Sequence, residues 1–253
     1  MTPGVTIESS AYFDQLAEFE DWHWWSPGLW RLASYWLDDV LKGRRGLHAL
    51  DVGCGAGMTA LRLATRAEIT EVVGLDPSSA ALAHARRRHG FPLVRGSALQ
   101  LPFKDSRFHL VTCLDVLQHL PIRGDDRAVE ELARVLTPDG IALVRTNGRG
   151  FSCDHSSYTL AGLTGTLTRA GFTVRRASYA NCLPSLVQEL RGRLSRRFPP
   201  SHPTGGGLRF RSPHPVVARI AASISATEAV VAGRFGVRLP FGHSTMVLGF
   251  LAG

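Results

Sequence analysis

The sequence predicts an α/β fold, a mostly parallel sheet with helices on both faces. Three observations predict it. Ala49-Leu50-Asp51-Val52 reads as an apolar strand that runs straight into three alternating glycines, Gly53, Gly55 and Gly57. A second apolar run, Val72-Val73-Gly74-Leu75, ends in a carboxylate, Asp76. Strand and helix periodicities then alternate across residues 47–147, as they do where parallel strands are joined by right-handed helical crossovers.

Residues 1–46 precede this core. From Gly28 to Lys42, Leu29, Leu32, Ala33, Trp36, Leu37 and Val40 recur at helical spacing and form one apolar face. All five tryptophans, Trp22, Trp24, Trp25, Trp30 and Trp36, lie in this leader. Their rings either dock the helix on the core or form a lid over a cationic ligand, since aromatic faces attract cations. The two roles are compatible, and Trp24 and Trp25 are the lid candidates.

Strands are expected at 48–52, 72–75, 92–95, 108–113 and 141–146, and helices at 57–66, 78–89 and 126–136. The last helix carries Val129, Leu132, Ala133 and Leu136 on one face, and Thr137-Pro138-Asp139-Gly140 reads as the turn that follows it. A polar loop, Gly148 to Ser157, leads to a helix with Leu160, Leu163, Leu167 and Ala170 in register, then to a strand near 172–179. Residues 183–243 form a long insertion. It holds a basic amphipathic helix (Leu183 to Arg197), a Pro/Gly-rich linker (Pro199 to Gly207) and a second helix (about Pro213 to Phe235) with Val217, Ile220, Ile224 and Val231 on one side. A final strand runs from Thr245 to Leu251. The units are therefore an aromatic-rich helical lid (1–46), the core (47–182), the insertion (183–243) and the last strand (244–253).

Composition narrows the function classes. Cys54, Cys113, Cys153 and Cys182 show no Cys-x-x-Cys spacing, which fits reduced thiols in a cytoplasmic protein and neither a zinc site nor a disulfide framework. No secretory leader or membrane-length apolar run is visible, so an integral membrane protein is not expected. The net charge of +8 comes almost wholly from arginine, Lys42 and Lys104 being the lysines. Such a balance attracts nucleic acid or anionic lipid, but a solvated arginine-rich surface explains it equally and is preferred.

The glycine pattern selects the ligand. It is Gly-x-Gly-x-Gly, and not the Gly-x-Gly-x-x-Gly that sets a helix N-terminus against a pyrophosphate. The acid just before it, Asp51, would repel a phosphate and suits a ligand with a cationic end, an ammonium or a sulfonium. Asp76, at the carboxyl end of its strand, can accept both hydroxyls of a ribose.

At these residues the chain resembles the class I S-adenosylmethionine-dependent methyltransferases. The resemblance continues through Val94 to Phe103, similar to the segment that holds the adenine. It extends through Phe108 to Leu120, similar to the fourth strand and its turn, and Glu131 to Gly140, similar to the helix and turn before the fifth strand. The nearest subgroup includes quinone-biosynthesis and natural-product methyltransferases. The resemblance implies a Rossmann-like seven-stranded sheet whose last strand is antiparallel. It implies S-adenosylmethionine as methyl donor and S-adenosylhomocysteine as product. Asp51, Gly53, Cys54, Gly55 and Gly57 would border the methionine part. Asp76 and Pro77 would meet the ribose, Ser97 and Ala98 the adenine, and Leu114 or Cys113 would offer a carbonyl to the ammonium. Ser97 stands where the family commonly has Asp.

Methyl transfer from a sulfonium needs orientation and exclusion of water more than dedicated catalytic groups. A base is required only for a neutral nucleophile, and histidine is the commonest choice. His155, beside Asp154 in the loop after the fifth strand, is the first candidate. His119 and Tyr158 are placed near the acceptor, His119 as a residue that orients its helix. No Asn-Pro-Pro-Tyr or Asp-Pro-Pro-Tyr element, paired-glutamate loop or acidic triplet is present, so exocyclic amines of bases, protein arginines and metal-held catechols are not the expected acceptors, and no metal is expected. The expected acceptor is a small, mostly apolar metabolite methylated at O, N or C in natural-product tailoring. Nucleic acid is not the expected partner. The insertion would cap the acceptor or form a dimer surface, which leaves monomer and homodimer open. Arg191, Arg193, Arg196 and Arg197 form a solvated face or touch anionic lipid. Two alternatives remain: a cofactor-binding cyclase or isomerase that transfers no methyl, and a lipid or quinone methyltransferase at a membrane surface.

Overall fold

A computed structural model describes residues 25–88, 90–121, 124–148, 158–183, 185–186 and 215–253. Its elements are α1 (Trp25–Leu41), β1 (Leu47–Val52), α2 (Met58–Ala64), β2 (Ile69–Asp76), α3 (Ser79–Arg88), β3 (Leu93–Arg95), β4 (Phe108–Leu114), α4 (Gly124–Val135), β5 (Leu136–Asn147), α5 (Leu160–Arg169), β6 (Phe172–Ala180), α6 (Pro215–Gly233) and β7 (Ser244–Leu251). The seven strands form one sheet in the order β3-β2-β1-β4-β5-β7-β6. Strands β1 to β5 pair in parallel, and β7 is antiparallel to both β5 and β6. The expected Rossmann-like sheet with its antiparallel last strand is thus present. The strand order reverses beside β1, the place where open α/β sheets bind ligands.

Strand alternation divides the core between the two faces. On one face Leu50, Val52, Val111, Cys113, Ala142 and Val144 pack with Val129, Leu132, Leu160, Leu163 and Leu167 of α4 and α5. On the other, Ala49, Leu110, Ile141, Leu143, Met246 and Leu248 pack with Leu29, Leu32, Trp36, Leu37 and Leu41 of α1 and with Ala229 and Ala232 of α6. The short 42–46 connection returns the chain to the start of β1, so α1 runs antiparallel to β1. Its Trp25 end therefore points toward the carboxyl ends of the parallel strands.

One expectation is corrected. The turn 137–140 does not precede β5 but lies within it. Leu136 already pairs with Phe108, the register slips before Leu110 meets Ile141, and Asp139 takes a left-handed φ of 57°. An irregular stretch within the strand thus replaces a free connection. Burial on α6 falls on small residues: Ser225, Ala229 and Ala232 are buried, while Ile220 is 56% exposed. The cause is the close approach of α1. A Cβ on Gly28 would fall 1.9 Å from Ser225 Oγ, and one on Gly233 would fall 2.6 Å from Tyr35 Cδ2. Each contact has a small residue on at least one side: Gly28 against Ser225, and Gly233 against the Tyr35 ring. The pairs 28/225 and 35/233 ascend together, so α1 and α6 run parallel.

Candidate functional site

The glycine loop is built by hydrogen bonds to the end of β2. Gly53 N–H and Cys54 N–H both donate to the Leu75 carbonyl, at 2.7 and 2.9 Å. Gly53 and Gly55 take φ of 71° and 52°, open to glycine at little cost. At Gly53 space also forbids a side chain, because a Cβ would lie 2.2 Å from Val116 Cγ2. At Gly55 a Cβ would meet nothing within 4 Å, so the backbone there faces open space that a ligand can approach.

Asp76 joins this loop to the next helix. Its Oδ2 accepts from Gly55 N–H at 2.9 Å and its Oδ1 from Ser78 N–H at 2.8 Å. Burial pushes its carboxyl above the usual range, and the two N–H bonds pull partly against that shift. Each carboxylate oxygen has a second lone pair, so both can still accept a hydroxyl. Asp51 lies on β1, 2% exposed, and its Oδ1 accepts from Thr112 Oγ1 at 2.7 Å. Cys54 and Cys113 are buried thiols whose titration is pushed far up, first by burial and then by the Asp51 charge. Cys54 therefore serves the loop as a small packing group, not as a nucleophile.

The turn after β4 forms the other wall. Asp115 sits at φ 60°, its N–H donates to the Arg145 carbonyl at 2.8 Å, and its carboxylate pairs with the Arg145 guanidinium. This pins Leu114 and Val116, and Val116 is the residue packed over Gly53. Thr146 Oγ1 donates to Gln118 Oε1 at 2.6 Å and ties the following turn to β5.

The expected adenine segment is held from α4. Leu101 N–H donates to Glu131 Oε2 at 2.7 Å. Arg134 donates to the Leu101 and Phe103 carbonyls, at 2.9 Å each, and Arg127 to the Leu99 carbonyl at 2.9 Å. Arg127, Glu131 and Arg134 share one helix face, so a single helix fixes the path of residues 99–103. Ser97 is exposed and its Oγ accepts from Leu99 N–H at 3.2 Å, while Ala98 is buried.

The structure thus brings Asp51, Gly53, Cys54, Gly55, Gly57, Asp76, Pro77, Ser97, Ala98 and Leu114 to the carboxyl end of the sheet. His119 lies exposed on the 3₁₀ turn Leu117–His119. Tyr158 is half-buried, and its O–H donates to Asp125 Oδ2 at 3.2 Å with the Leu117 carbonyl 3.4 Å away; burial and the Asp125 charge push its titration up. It braces the turn against α4. Trp25 begins α1, whereas Trp24 and His155 lie outside the described residues. Trp30 stacks beneath Arg62, and Trp36 is buried with Nε1–H donating to the Ala232 carbonyl at 3.3 Å, so these two rings dock α1. Sequence reasoning missed Thr112, Arg145 and the Arg127–Glu131–Arg134 face. Only the i, i+4, i+7 spacing of the last three carried a signal. Among the described residues no helix is long and apolar enough to cross a membrane, and no His, Cys, Asp and Glu group could hold a metal.

A sheet of this order, with acids closing β1 and β2 around an open glycine loop, defines the Rossmann-like methyltransferase fold. Comparison with known proteins agrees. The family described as "Methyltransferase domain" matches residues 49–140. The chain is 31% identical to a 2-phytyl-1,4-naphtoquinone methyltransferase of Trichormus variabilis, over 72% of this chain and 83% of the relative. It is 29% identical to a ubiquinone biosynthesis O-methyltransferase of Coxiella burnetii, over 64% and 71%. It spans about half (51%) of a methyltransferase-named protein of Encephalitozoon cuniculi, at 36% identity over 46% of this chain. Among solved structures, the [4+2]-cyclase SpnF aligns over 87% of this chain and 81% of its own, with TM-score 0.55 and 21% identity. A phosphoethanolamine N-methyltransferase of Haemonchus contortus, in complex with S-adenosylhomocysteine, aligns over 88% and 52%, with TM-score 0.56 and 16% identity. The chain belongs to the S-adenosylmethionine-dependent class I methyltransferases.

Proposed function

We propose that the protein transfers a methyl group from S-adenosylmethionine to O, N or C of a small, mostly apolar metabolite in the cytoplasm, as a tailoring step. One observation carries this reading: Asp51 and Asp76, both buried, close adjacent strands on either side of a glycine loop open to a ligand. Two carboxylates suit an ammonium and a ribose diol, and they exclude a phosphate at the same place. The residues present therefore fit the cofactor. The apolar acceptor is supported by the naphthoquinone and ubiquinone named for two relatives.

Bound S-adenosylmethionine supplies an already activated methyl group on a sulfonium, so the chain's own work is orientation. Asp76 accepts the ribose hydroxyls on the lone pairs that Gly55 and Ser78 leave. Asp51 takes the ammonium end. Leu114, Val116 and Ala98 bound the site with apolar surface that keeps water away. His155 is the proposed base for an acceptor that must lose a proton.

The test supplies methyl-labelled cofactor with an extract or an acceptor library. Label in an organic-soluble product one methyl group heavier supports the reading. Label confined to RNA or protein overturns it. A converted acceptor of unchanged mass would point instead to the non-transferring chemistry that the cyclase of similar fold represents.

A further inference from the structure

Position 112 of β4 lies in an apolar run, Phe108 to Leu114, where packing alone calls for an apolar residue. Thr112 is 0% exposed there, and its parallel register partner on β1 is Asp51. Burying a hydroxyl or a carboxylate is costly unless each finds a partner. Here they find each other. Thr112 Oγ1 lies 2.7 Å from Asp51 Oδ1, with the Leu50 carbonyl at 3.4 Å as a weaker second acceptor. A charge-assisted bond of this length is among the strong ones. A β-branched side chain on a central strand has little rotamer freedom, so the bond fixes one carboxylate oxygen and with it the plane of the group.

We infer that Thr112 is a positioning residue for the amino-acid end of the cofactor: its hydroxyl sets the orientation in which Asp51 meets the α-ammonium. This rests on the reading that Asp51 takes that ammonium. Thr112 itself does not touch the ligand, so its effect should appear only with ligands that carry the amino-acid end.

Calorimetric titration with S-adenosylhomocysteine and with 5′-methylthioadenosine separates the two roles. The second ligand keeps the nucleoside and the thioether but lacks the ammonium. In Thr112→Val, affinity for S-adenosylhomocysteine falls about tenfold, the scale of one hydrogen bond to a charged group. Affinity for methylthioadenosine stays within about twofold, which also reports an intact nucleoside site. Thr112→Ser retains the wild-type ratio, and Thr112→Val adds nothing in an Asp51→Asn background. If Thr112→Val does not fold, Thr112→Ala carries the same comparison. Equal loss for both ligands, no loss for either, or additive effects with Asp51→Asn overturn the role of Thr112. A ratio that collapses in Asp51→Asn but holds in Thr112→Val does the same while leaving Asp51 in place. A ratio unchanged in Asp51→Asn removes the Asp51 reading and this inference with it.

Discussion

Arg134→Ala tests whether one helix face holds residues 99–103, the segment proposed to border the adenine. The guanidinium, 32% exposed, donates to the Leu101 and Phe103 carbonyls at 2.9 Å each and to both Glu131 oxygens, at 2.7 and 2.8 Å. Asp105, also paired at 2.6 Å, is 75% exposed and contributes little. Glu131 meanwhile holds the Leu101 N–H, and the Arg134 partnership keeps its carboxyl below the usual range. Two carbonyl bonds to a charged donor, discounted for partial exposure, together with a half-orphaned Glu131, amount to about 3 kcal/mol. That corresponds to a Tm fall of about 9 °C in a chain of this size. Arg134→Lys should recover about 1 kcal/mol, because an ammonium can reach one carbonyl but cannot fork. Denaturant unfolding gives the stability. Titration with S-adenosylhomocysteine gives the functional effect, an expected loss of about tenfold as residues 99–103 lose their anchor. A variant within about 0.5 kcal/mol of wild type, with unchanged affinity, would refute the clamp.

Three further outcomes follow from the same geometry. Gly53→Ala places a Cβ 2.2 Å from Val116 Cγ2 at φ 71°, and should cost about 3 kcal/mol in unfolding experiments and weaken cofactor binding at least about tenfold. Gly28→Ala should cost about 2 kcal/mol through Ser225, and adding Ser225→Gly should restore part of it, a coupling that a double-mutant cycle reads directly. On the proposed reading Asp76 accepts both ribose hydroxyls as a carboxylate, and burial holds its carboxyl above the ordinary 3.8 in the free protein. Affinity is therefore full above the raised pKa and is lost as pH falls through it, at a higher pH than an ordinary carboxylate would give. Isothermal titration across acidic pH checks this. The stability term has the opposite sign: the folded state holds the proton more tightly than the unfolded chain, so ionisation of Asp76 lowers stability as pH rises through that interval.

The sheet was readable because strands buried on both faces are written as continuous apolar runs, and because glycines and acids punctuate their ends. The buried face of α6 was not legible in the same way. Ile220 and Ile224 dominate any hydrophobic pattern, yet the contact with α1 is set by the space left between the helices, which Gly28 and Ser225 share and Gly233 leaves to the Tyr35 ring, with Ala229 and Ala232 buried beside them. Thr137-Pro138-Asp139-Gly140 has turn chemistry and does turn, but the Leu136–Phe108 pair on its other side makes it an irregularity within β5. At the site, Asp51, Asp76 and the glycine loop were visible because their places at the ends of β1 and β2 depend on local sequence. Thr112 and Arg145 were not, since each acts through a partner on another segment: Thr112 on β1, Arg145 on the turn after β4. Arg134 and Glu131 lay inside a recognised motif, but what they hold, the backbone of 99–103, appears only once α4 is docked.

The proposed function requires that Asp76 and the glycine loop bind S-adenosylmethionine. Calorimetric titration of the folded wild type and Asp76→Ala with S-adenosylmethionine and S-adenosylhomocysteine tests it most directly. Saturable binding of both ligands to wild type and a loss of at least about tenfold in the variant are expected. Wild-type protein that is folded yet binds neither, or an Asp76→Ala variant that binds as tightly as wild type, would contradict it.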